Sequence, residues 1–586
     1  MGVKRVLKTA VVKLLAGALC VWPLVGMTSG NYGVKQNATA SRPIDGDYDL
    51  VIYGGTPSGV AAAVAANDSL KRILLISERT TVGGAMSNGL GAVDVGARFA
   101  VTGISREFFG KVERHYRDHT MWRTEPHIAE SIFRGMLAKT SVELATQRNL
   151  THATVENDAI TCLTLDHQDR VCANLFIDAS YAGDLIEASG ARNVLGPSDL
   201  YSYSEPEANR RHFAIMGDFR QFSKNEVHSA IENVPYIGRS AMLPNLKEML
   251  HSANPSWTYR LCITRDKMRE FRPGVDYAKY VRAWRVLIKA QYARGLCRLV
   301  CGVRSNGTIQ TILWQIVRLP HGKFDLNAGT AQLSNFPIPR DYFVDSSSRD
   351  MHEQQLQGYL ESFLYFAQND SQVPAFERQA LAGFGLCADE FVDNNNWPYS
   401  PYVREGRRLI GVNTLTTEHI MHKRVSADAV AIGAYPLDSK SSLLVYWNGR
   451  IYRDVGSFLK APIYEIPYST MLPAHGPSNL LSSVNIAASP TAFGSVRVES
   501  QFMQLGQAAG TAAMLASAEG RSFAAISIPK LRRDLKSSGL TTSIEALCHK
   551  MTHKSRIANA FDPVSCEPLT YAQETPYDDL YGKLTR

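Results

Sequence analysis

Glycines near the start of the chain have the spacing of a dinucleotide site. The stretch VIYGGTPSGVAAAVAA places Gly54 and Gly59 around a turn that follows an apolar run. Such a turn lets the chain leave a strand sharply and points the free amides of the next helix at a pyrophosphate. Thr56 stands where the G-x-G-x-x-G pattern has its second glycine, and Pro57 suits the first turn of a helix.

An acid and a second group of glycines complete this pattern. Glu78 ends the next apolar run, 19 residues after Gly59, where an acid binds the diol of an unphosphorylated ribose. The stretch TTVGGAMSNGLG follows directly. Its glycines suit close approach of the backbone to a bulky planar ligand such as a flavin, although a flexible loop has the same composition.

Three residues are candidates for the reacting groups. His127 is predicted in the first turn of a helix, where the dipole lowers its pKa and favours a neutral base; a capping or packing histidine is the alternative. Arg404 belongs to the arginine-rich stretch YVREGRRLIG, which suits an anionic group or ion pairs with acids such as Glu405. Arg497 suits a substrate carboxylate or a flavin carbonyl.

The elements that must position these residues form a βαβ unit. Residues 48–53 predict a buried strand, 57–66 a helix of small residues, and 72–78 a second strand. TEPHIAESIFRGMLAK predicts an amphipathic helix, and residues 151–177 alternate like a β-meander. SVRVESQFMQLGQAAGTAAMLASAEG predicts a second helix of small residues near the end of the chain.

These blocks resemble the FAD-dependent oxidoreductases of the glutathione-reductase-like superfamily, and more narrowly the group described as xanthan-lyase-like FAD-dependent oxidoreductases. The resemblance covers residues 48–520 and includes FIDASYAGDLIEASGA, NNNWPYSPYVREGRRLIG and AFGSVRVESQFMQLGQAAGTAA. It implies an α/β fold, with a Rossmann-like FAD-binding domain and an inserted mixed α+β substrate domain. GGTP is then this group's variant of the fingerprint, and the cofactor is FAD.

The resemblance also implies roles for single residues. The late helix, over residues 502–516, would aim its N-terminus at the flavin pyrimidine edge, where its dipole stabilises negative charge. Pro490 stands where the group is expected to have a histidine, so an acid or base near the flavin is absent or supplied elsewhere. The implied cofactor contacts are Gly54, Gly55, Thr56, Pro57, Ser58 and Gly59 for the pyrophosphate, Glu78 and Arg79 for the ribose, Gly83, Gly84, Ala85 and Met86 for flavin and ribitol, Val155 for adenine, and Ala179 and Gly506.

The first 30 residues have the order of a secretory signal. Four cationic residues precede an uncharged run over residues 14–26, which is short for a bilayer span of about 20 residues. We expect an exported protein, with an uncleaved membrane anchor as the alternative. The predicted regions are a signal peptide or anchor (1–30), a linker (31–46), the first segment of the FAD-binding domain (47–200), a substrate domain (201–460), the second segment of the FAD-binding domain (461–530) and a C-terminal tail (531–586).

Composition limits the partners. The chain has 586 residues and a net charge of +8, and no basic stripe with interleaved aromatic residues, so we expect no nucleic-acid partner. No histidine or cysteine cluster has zinc spacing, and we expect no metal. Cys162 and Cys172 flank a predicted hairpin turn, and Cys297 and Cys301 are four apart; either pair forms a disulfide or stays as buried thiols. Five N-x-S/T sequons are compatible with an exported glycoprotein.

The functional expectation is an FAD-dependent oxidoreductase that takes a hydride from a small polar organic substrate, a carbohydrate or a secondary metabolite. Two alternatives remain open at this point. One is a flavin-dependent desaturase or oxidase of a biosynthetic pathway. The other is a non-catalytic protein that retains flavin and binds carbohydrate. The sequence does not identify the substrate or the electron acceptor.

Overall fold

A seven-stranded sheet built from both ends of the chain carries the βαβ unit. Strand β1 (Asp45–Tyr53) begins three residues before the predicted start and pairs in parallel with β2 (Ile73–Ser77) and β6 (Arg170–Asp178). The predicted meander folds back antiparallel onto β6, and a late strand, Leu480–Ser482, pairs in parallel with its end. The last four residues of β1 are fully buried, as expected for a strand covered on both faces.

The computed structural model describes most of the chain after the predicted signal segment. The predicted signal peptide, nearly all of the linker, Cys297 and the end of the predicted tail lie outside the described residues. The described residues are 44–118, 122–196, 203, 205, 213–233, 256–292, 301–304, 307–311, 313–328, 336–421, 424, 426–439, 444–447, 450–454 and 457–551.

The elements of these residues have the following bounds. The helices are α1 (Pro57–Ala66), α2 (Gly103–Tyr116), α3 (Pro126–Leu137), α4 (Asp184–Ala188), α5 (Lys224–Asn233), α6 (Tyr277–Tyr292), α7 (Ser346–Asn369), α8 (Ala375–Leu381), α9 (Thr417–Ile420), α10 (Pro490–Val496), α11 (Glu499–Glu519), α12 (Ile528–Ser537) and α13 (Ile544–Met551). After β1, β2 and before β6 come β3 (Glu143–Thr146), β4 (Leu150–Glu156) and β5 (Ala159–Leu165); the later strands are β7 (Asn193–Leu195), β8 (Phe213–Asp218), β9 (Ser256–Thr258), β10 (Leu261–Thr264), β11 (Met268–Arg269), β12 (Gly302–Val303), β13 (Ile309–Gln310), β14 (Trp314–Arg318), β15 (Lys323–Ala328), β16 (Phe336–Pro337), β17 (Gly385–Cys387), β18 (Tyr402–Val403), β19 (Arg407–Leu409), β20 (Ala429–Gly433), β21 (Leu437–Ser439), β22 (Leu444–Trp447), β23 (Arg450–Asp454), β24 (Ser457–Leu459), β25 (Tyr464–Pro467) and β26 (Leu480–Ser482).

Helices α1 and α11 pack together at backbone distance, as their small residues allow. A Cβ atom on Gly506 would lie 2.1 Å from the carbonyl oxygen of Ser58, and one on Gly510 would lie 2.2 Å from that of Ala62. No side chain fits at either distance, so glycine is required at both places for this approach. Helix α11 begins at Glu499, three residues before the predicted start.

The middle of the chain has a sheet and a hydrophobic cluster of its own. The sheet has seven strands in the order β11-β17-β10-β15-β14-β13-β12, and helices α6 and α7 contribute to the same cluster. Trp397 is fully buried in this cluster and is therefore a core residue. A disulfide joins Cys262 to Cys387 across this sheet, a pair that the spacing of the cysteines did not indicate.

Two further expectations can be compared with the structure. The Cys162–Cys172 disulfide is confirmed and links the facing positions of β5 and β6. The predicted C-terminal tail from residue 531 is wrong over its first 20 or so residues, because α12 and α13 form there and bury Leu531, Leu535 and Leu547. Their apolar residues recur at helical spacing, but the segment is polar in overall composition, and that composition was the basis for predicting a tail. In the described residues of the chain, no helix combines the length and the apolarity that crossing a membrane requires.

Candidate functional site

The turn after β1 is tied to the end of β6. Gly54 has a φ of 116°, and its amide donates to the carbonyl of Ile76. Thr56 caps α1: its hydroxyl accepts from the amide of Gly59 at 3.2 Å and donates to the carbonyl of Ala179 at 2.7 Å. The threonine in place of the usual glycine therefore fixes the turn against the sheet and uses the amide of Gly59. Because Pro57 has no N–H, the amide of Ser58 is the donor that this turn leaves for an anion.

A cleft with an empty volume of about 580 Å³ opens beside this turn. Five predicted cofactor residues line it: Gly55, Thr56, Glu78, Arg79 and Gly84. Sequence reasoning missed most of the opposite wall, which comes from later regions of the chain and for which no local pattern existed. That wall includes Tyr181, Tyr342, Arg349, Pro401 and Val403.

The other predicted cofactor residues support the cleft or lie away from its walls. Gly506 faces Ser58, so its role is helix packing. Val155 is 40% exposed on β4, the edge strand of the sheet, and does not line the cleft; its predicted adenine contact is not supported. The remaining residues flank the turn or the glycine loop without lining the cleft: Gly54, Pro57, Ser58, Gly59, Gly83, Ala85, Met86 and Ala179.

Glu78 lies at the end of β2 in a network of charges. Its carboxylate accepts from the hydroxyl of Tyr53 at 3.0 Å and from Arg349 at 3.1 Å. Burial, reinforced by the charge of Asp184, raises the pKa of Glu78 well above its ordinary value. Burial alone would raise the pKa of Asp184, but the charge of Arg349 holds that pKa below its ordinary range. Glu78 thus retains a proton that it can donate or share with a ligand hydroxyl.

The glycine loop is held against the start of α11 by a short chain of hydrogen bonds. Gly84 has a φ of 51°, and a Cβ there would lie 2.4 Å from the hydroxyl oxygen of Tyr181. The amide of Ala85 donates to that hydroxyl at 2.9 Å, and the hydroxyl donates to Glu499 at 2.7 Å. This chain fixes the distance between the loop and the first turn of α11.

Glu499 is a candidate functional residue that sequence reasoning overlooked. It is 3% exposed, its Oε2 atom has no hydrogen-bond partner, and burial raises its pKa to about 8. The neighbouring Ser500 hydroxyl is also buried without a partner. Both lie in the first turn of α11, where free backbone amides add to the unused hydrogen-bonding capacity. A polar ligand beside this turn would satisfy these groups.

The raised pKa of Glu499 predicts a pH-dependent stability. The carboxyl binds its proton more tightly in the folded state than at its ordinary pKa of 4.5, so its contribution to stability is complete below about 4.5 and is lost as pH rises through about 8. The unfolding free energy of the wild type should fall relative to Glu499→Gln by up to about 1.4 kcal/mol per pH unit inside this window. Thermal and urea unfolding at pH 5 and pH 8.5 measure the difference. Glu156→Gln, at an exposed position, is the control; equal pH profiles for wild type and Glu499→Gln would contradict the assignment.

Arginines meet behind the glycine loop, close to β18. Arg497 pairs with Asp438 at 2.8 Å and donates to the hydroxyl of Tyr402 at 2.9 Å. Arg404 lies over the ring of Tyr402, 5.0 Å from its centroid, so the structure brings two predicted site residues together. The other arginines of this stretch form ion pairs instead of remaining available to an anionic ligand. Arg407 pairs with Asp184 and Glu187, and Arg408 pairs with Glu405.

His127 lies in a different network. Its Nδ1 atom is 2.6 Å from Glu390, and this contact raises the pKa of His127, against the opposing effect of burial. The prediction of a lowered pKa is therefore wrong, because a direct carboxylate contact outweighs the helix dipole. In the described residues no hydrogen bond or ion pair joins His127 to Arg404 or Arg497.

The same network has the geometry of a metal site. Glu125, His127 and Glu390 offer ligand atoms within 4.8 Å of one another. The ammonium of Lys323, however, lies 2.7 Å from Glu125 and 2.9 Å from Glu390. It offsets part of the negative charge and occupies carboxylate oxygens that a cation would need, so the contacts of these residues are those of a salt-bridge network.

A protein-family comparison matches residues 49–535 to a family described as FAD dependent oxidoreductase. In a comparison with curated proteins, none matches this chain. Solved structures that match over some of their length include a flavin-dependent brominase, Bmp2, at 10% identity over 84% of each chain with a TM-score of 0.35. L-proline dehydrogenase from P. horikoshii matches at 14% identity over 27% of this chain and 25% of that one, with a TM-score of 0.17. THI4 from Thermovibrio ammonificans matches at 13% identity over 32% and 72%, with a TM-score of 0.20.

These structural likenesses are slight. The chain spans 25%, 38% and 25% of the length of L-proline dehydrogenase, a flavin monooxygenase from Stenotrophomonas maltophilia and OTEMO, respectively. With TM-scores this low, none of these structures bears on the substrate or on the reaction. The family comparison, in contrast, extends over most of the chain and includes the turn, Glu78, the arginines and α11.

Proposed function

Because this chain belongs to the FAD-dependent oxidoreductase family, whose cofactor is FAD, we propose that it takes a hydride from a small polar organic substrate. Within that description a carbohydrate or a secondary metabolite is the proposed substrate. The cleft carries the proposal. Its walls provide the turn before α1 and the acid Glu78, and also Gly84, where the positive φ and the nearby Tyr181 hydroxyl leave no room for a side chain. When bound, FAD supplies the acceptor for the hydride.

The residues of the cleft fit this cofactor. The amide of Ser58 and the dipole of α1 suit a pyrophosphate, and Glu78 suits a ribose diol. The unsatisfied Oε2 of Glu499 and hydroxyl of Ser500 require a polar partner of the kind that a heterocyclic edge offers. Because the carboxyl of Glu499 keeps its proton near neutral pH, it is the chain's best-placed group to hold a proton beside this partner.

The middle of the chain is the proposed substrate domain, over residues 201–460, between FAD-binding segments at 47–200 and 461–530. Its own sheet and hydrophobic cluster support this division from Phe219 to Val403, whereas Leu415, Val430 and Leu437 pack in the cluster of α1 and α11. It also approaches the glycine loop closely: a Cβ on Gly89 would lie 1.8 Å from the carbonyl of Arg260, and the amide of Tyr399 donates to Asn88. The substrate would therefore meet the cofactor between this domain and the loop.

The test is spectroscopic. The purified full chain should be yellow, and acid precipitation should release its colour, because the described residues that line the cleft include no histidine or cysteine to tether a flavin. Anaerobic mixing with a panel of sugars and polar metabolites should bleach the flavin with a subset of them, and O₂ should then be tried as acceptor. A colourless protein indifferent to FAD would refute the function. Flavin that stays oxidised with every compound would favour the non-catalytic alternative.

Glu78→Ala should weaken FAD binding without unfolding the protein. The substitution removes an uncharged hydrogen-bond partner of the ribose, which is worth about 0.5–1.5 kcal/mol, or roughly 2- to 12-fold in the dissociation constant. Fluorescence titration of the apoprotein with FAD measures this loss, and circular dichroism checks the fold. Glu156→Ala, an exposed acid of β4, is the matched control. If both variants bound FAD like the wild type, Glu78 would be only a partner of Arg349.

We propose separately that the protein is exported. The first 30 residues support this proposal, because cationic, apolar and small residues follow one another there as in a secretory signal. Cleavage near residue 30 should leave a mature enzyme outside the cytosol, with sugars on some of its sequons. Mass spectrometry of the native N-terminus decides between the outcomes. An intact N-terminus in a membrane fraction would mean an anchor, and one in a soluble cytosolic fraction would contradict export.

A further inference from the structure

We propose that Arg404 binds a carboxylate of the substrate, so that the compound oxidised at this site is a small organic acid. This inference rests on the proposed function and narrows its substrate class. It follows from one buried cation for which the described residues provide no ion pair and no hydrogen-bond acceptor.

Arg404 is buried and makes no hydrogen bond or ion pair with an acid in the described part of the chain. The residue is 7% exposed, and its Nε atom is buried without a hydrogen-bond acceptor. Across the residues that the structure describes, no hydrogen bond or ion pair reaches its side chain, and its guanidinium lies over the ring of Tyr402, 5.0 Å from the centroid. A buried charge without a partner is strongly unfavourable, so proteins retain one where a ligand completes it.

The neighbouring arginines Arg260 and Arg497 differ from Arg404, because each of them pairs with a carboxylate. Arg260 makes two hydrogen bonds to Asp325, at 2.8 and 2.5 Å, and Arg497 pairs with Asp438. The charge of Arg497 lowers the pKa of Arg404, after the larger effect of burial.

Asp94 is the other acid of the cluster. It acts on Arg260 and Arg497 through its charge but makes no hydrogen bond or ion pair with Arg404. Among the described residues, the guanidinium of Arg404 therefore remains the cation of this cluster without a direct counterion.

The location of Arg404 connects it with the cleft. Pro401 and Val403, just before it in the chain, line the cleft, and Tyr402 packs against Ala85 of the glycine loop. Arg497, on the other side of Tyr402, precedes the first turn of α11 by two residues. The unpaired guanidinium thus lies where the proposed function brings the substrate to the loop.

The chemistry of the site favours a carboxylate. A guanidinium fork matches the two oxygens of a carboxylate in a planar, bidentate arrangement. One uncompensated positive charge suits a monoanion better than a phosphate ester, which carries about two negative charges near neutral pH.

The test uses the full-length holoenzyme with bound FAD and three pairs of probes: acetate, glycolate and lactate, each beside its neutral amide. Binding is followed by the change in the flavin absorption spectrum and by thermal stabilisation, neither of which needs turnover. The variants are Arg404→Gln, Arg404→Lys and, as control, Arg533→Gln, which removes one positive charge from an exposed position of α12. The lysine variant keeps the charge and loses the fork.

We expect saturable binding of at least one carboxylate, weaker binding of its amide, and a loss of affinity of about tenfold or more in Arg404→Gln. Arg404→Lys should retain some of the affinity, and Arg533→Gln all of it. Equal binding of acid and amide, equal binding by wild type and Arg404→Gln, or no carboxylate binding at all would overturn the inference.

Two outcomes separate this inference from the function on which it rests. If Arg404→Gln lost FAD affinity while carboxylate binding stayed unchanged, Arg404 would serve the cofactor and the inference would be wrong. If only uncharged compounds bleached the flavin, and did so equally in Arg404→Gln, the oxidoreductase function would stand and the organic acid would be excluded. A chain that bound no FAD would refute the function itself.

Discussion

Gly506→Ala is expected to destabilise the folded protein by about 3 kcal/mol and to release FAD. The added Cβ would lie 2.1 Å from the carbonyl oxygen of Ser58, which is a backbone atom and cannot turn aside. The clash pushes α11 away from the first turn of α1, where the pyrophosphate is expected to bind. Both the unfolding free energy and the FAD dissociation constant should therefore change together.

A matched control separates this clash from the general effect of alanine in a helix. Gly135 lies in α3 with nothing within 4 Å of its Cβ position. Gly135→Ala should stabilise the protein by up to about 1 kcal/mol, because alanine is the better helix former. Urea unfolding and FAD titration of both variants give the comparison. Similar results for the two variants would show that α1 and α11 separate at little cost.

Loss of the Cys262–Cys387 disulfide should have the largest effect on stability, about 5 kcal/mol in the chain-entropy description. The bond joins residues 125 apart in the sequence, so its removal frees a long loop in the unfolded chain. The Cys162–Cys172 bond closes a separation of only 10 residues, and its loss should cost about 2–3 kcal/mol. The contrast is expected because loop-closure entropy grows with loop length.

Double serine variants of each pair provide the measurement. Tryptophan fluorescence suits the central pair, because Trp257, Trp284 and Trp397 are buried in the surrounding cluster. Urea unfolding of the two variants under oxidising conditions, beside the wild type, gives the two losses. Losses of equal size, or a larger loss for Cys162→Ser with Cys172→Ser, would contradict the loop-length argument.

The nucleotide half of the site could be predicted because its signals are local. A tight turn, a helix of small residues and an acid at the end of the next strand are all set by neighbours in the chain, and Thr56 and Glu78 lie where the spacing placed them. The family resemblance was confirmed for the same reason, since its motifs are short contiguous blocks.

The rest of the site depends on contacts between distant regions of the chain. The pKa of His127 is set by Glu390, 263 residues away, and no helix-terminus argument includes that carboxylate. Arg404 could not be told from Arg407 and Arg408 in the sequence, because only the fold decides which arginine meets an acid. Glu499 looked like an ordinary helix residue until its burial against Tyr181 was known.

The backbone contact between α1 and α11 has a consequence for biosynthesis. Ala66 ends α1 and Glu499 begins α11, a separation of 433 residues in the sequence. At 5–20 residues per second, a ribosome needs roughly 20–90 s to make the intervening chain. Through all of that time the emerging Rossmann unit lacks the helix that covers it, and its small apolar residues are open to chaperones and to aggregation. The nascent protein should therefore acquire its cofactor only after translation is nearly finished.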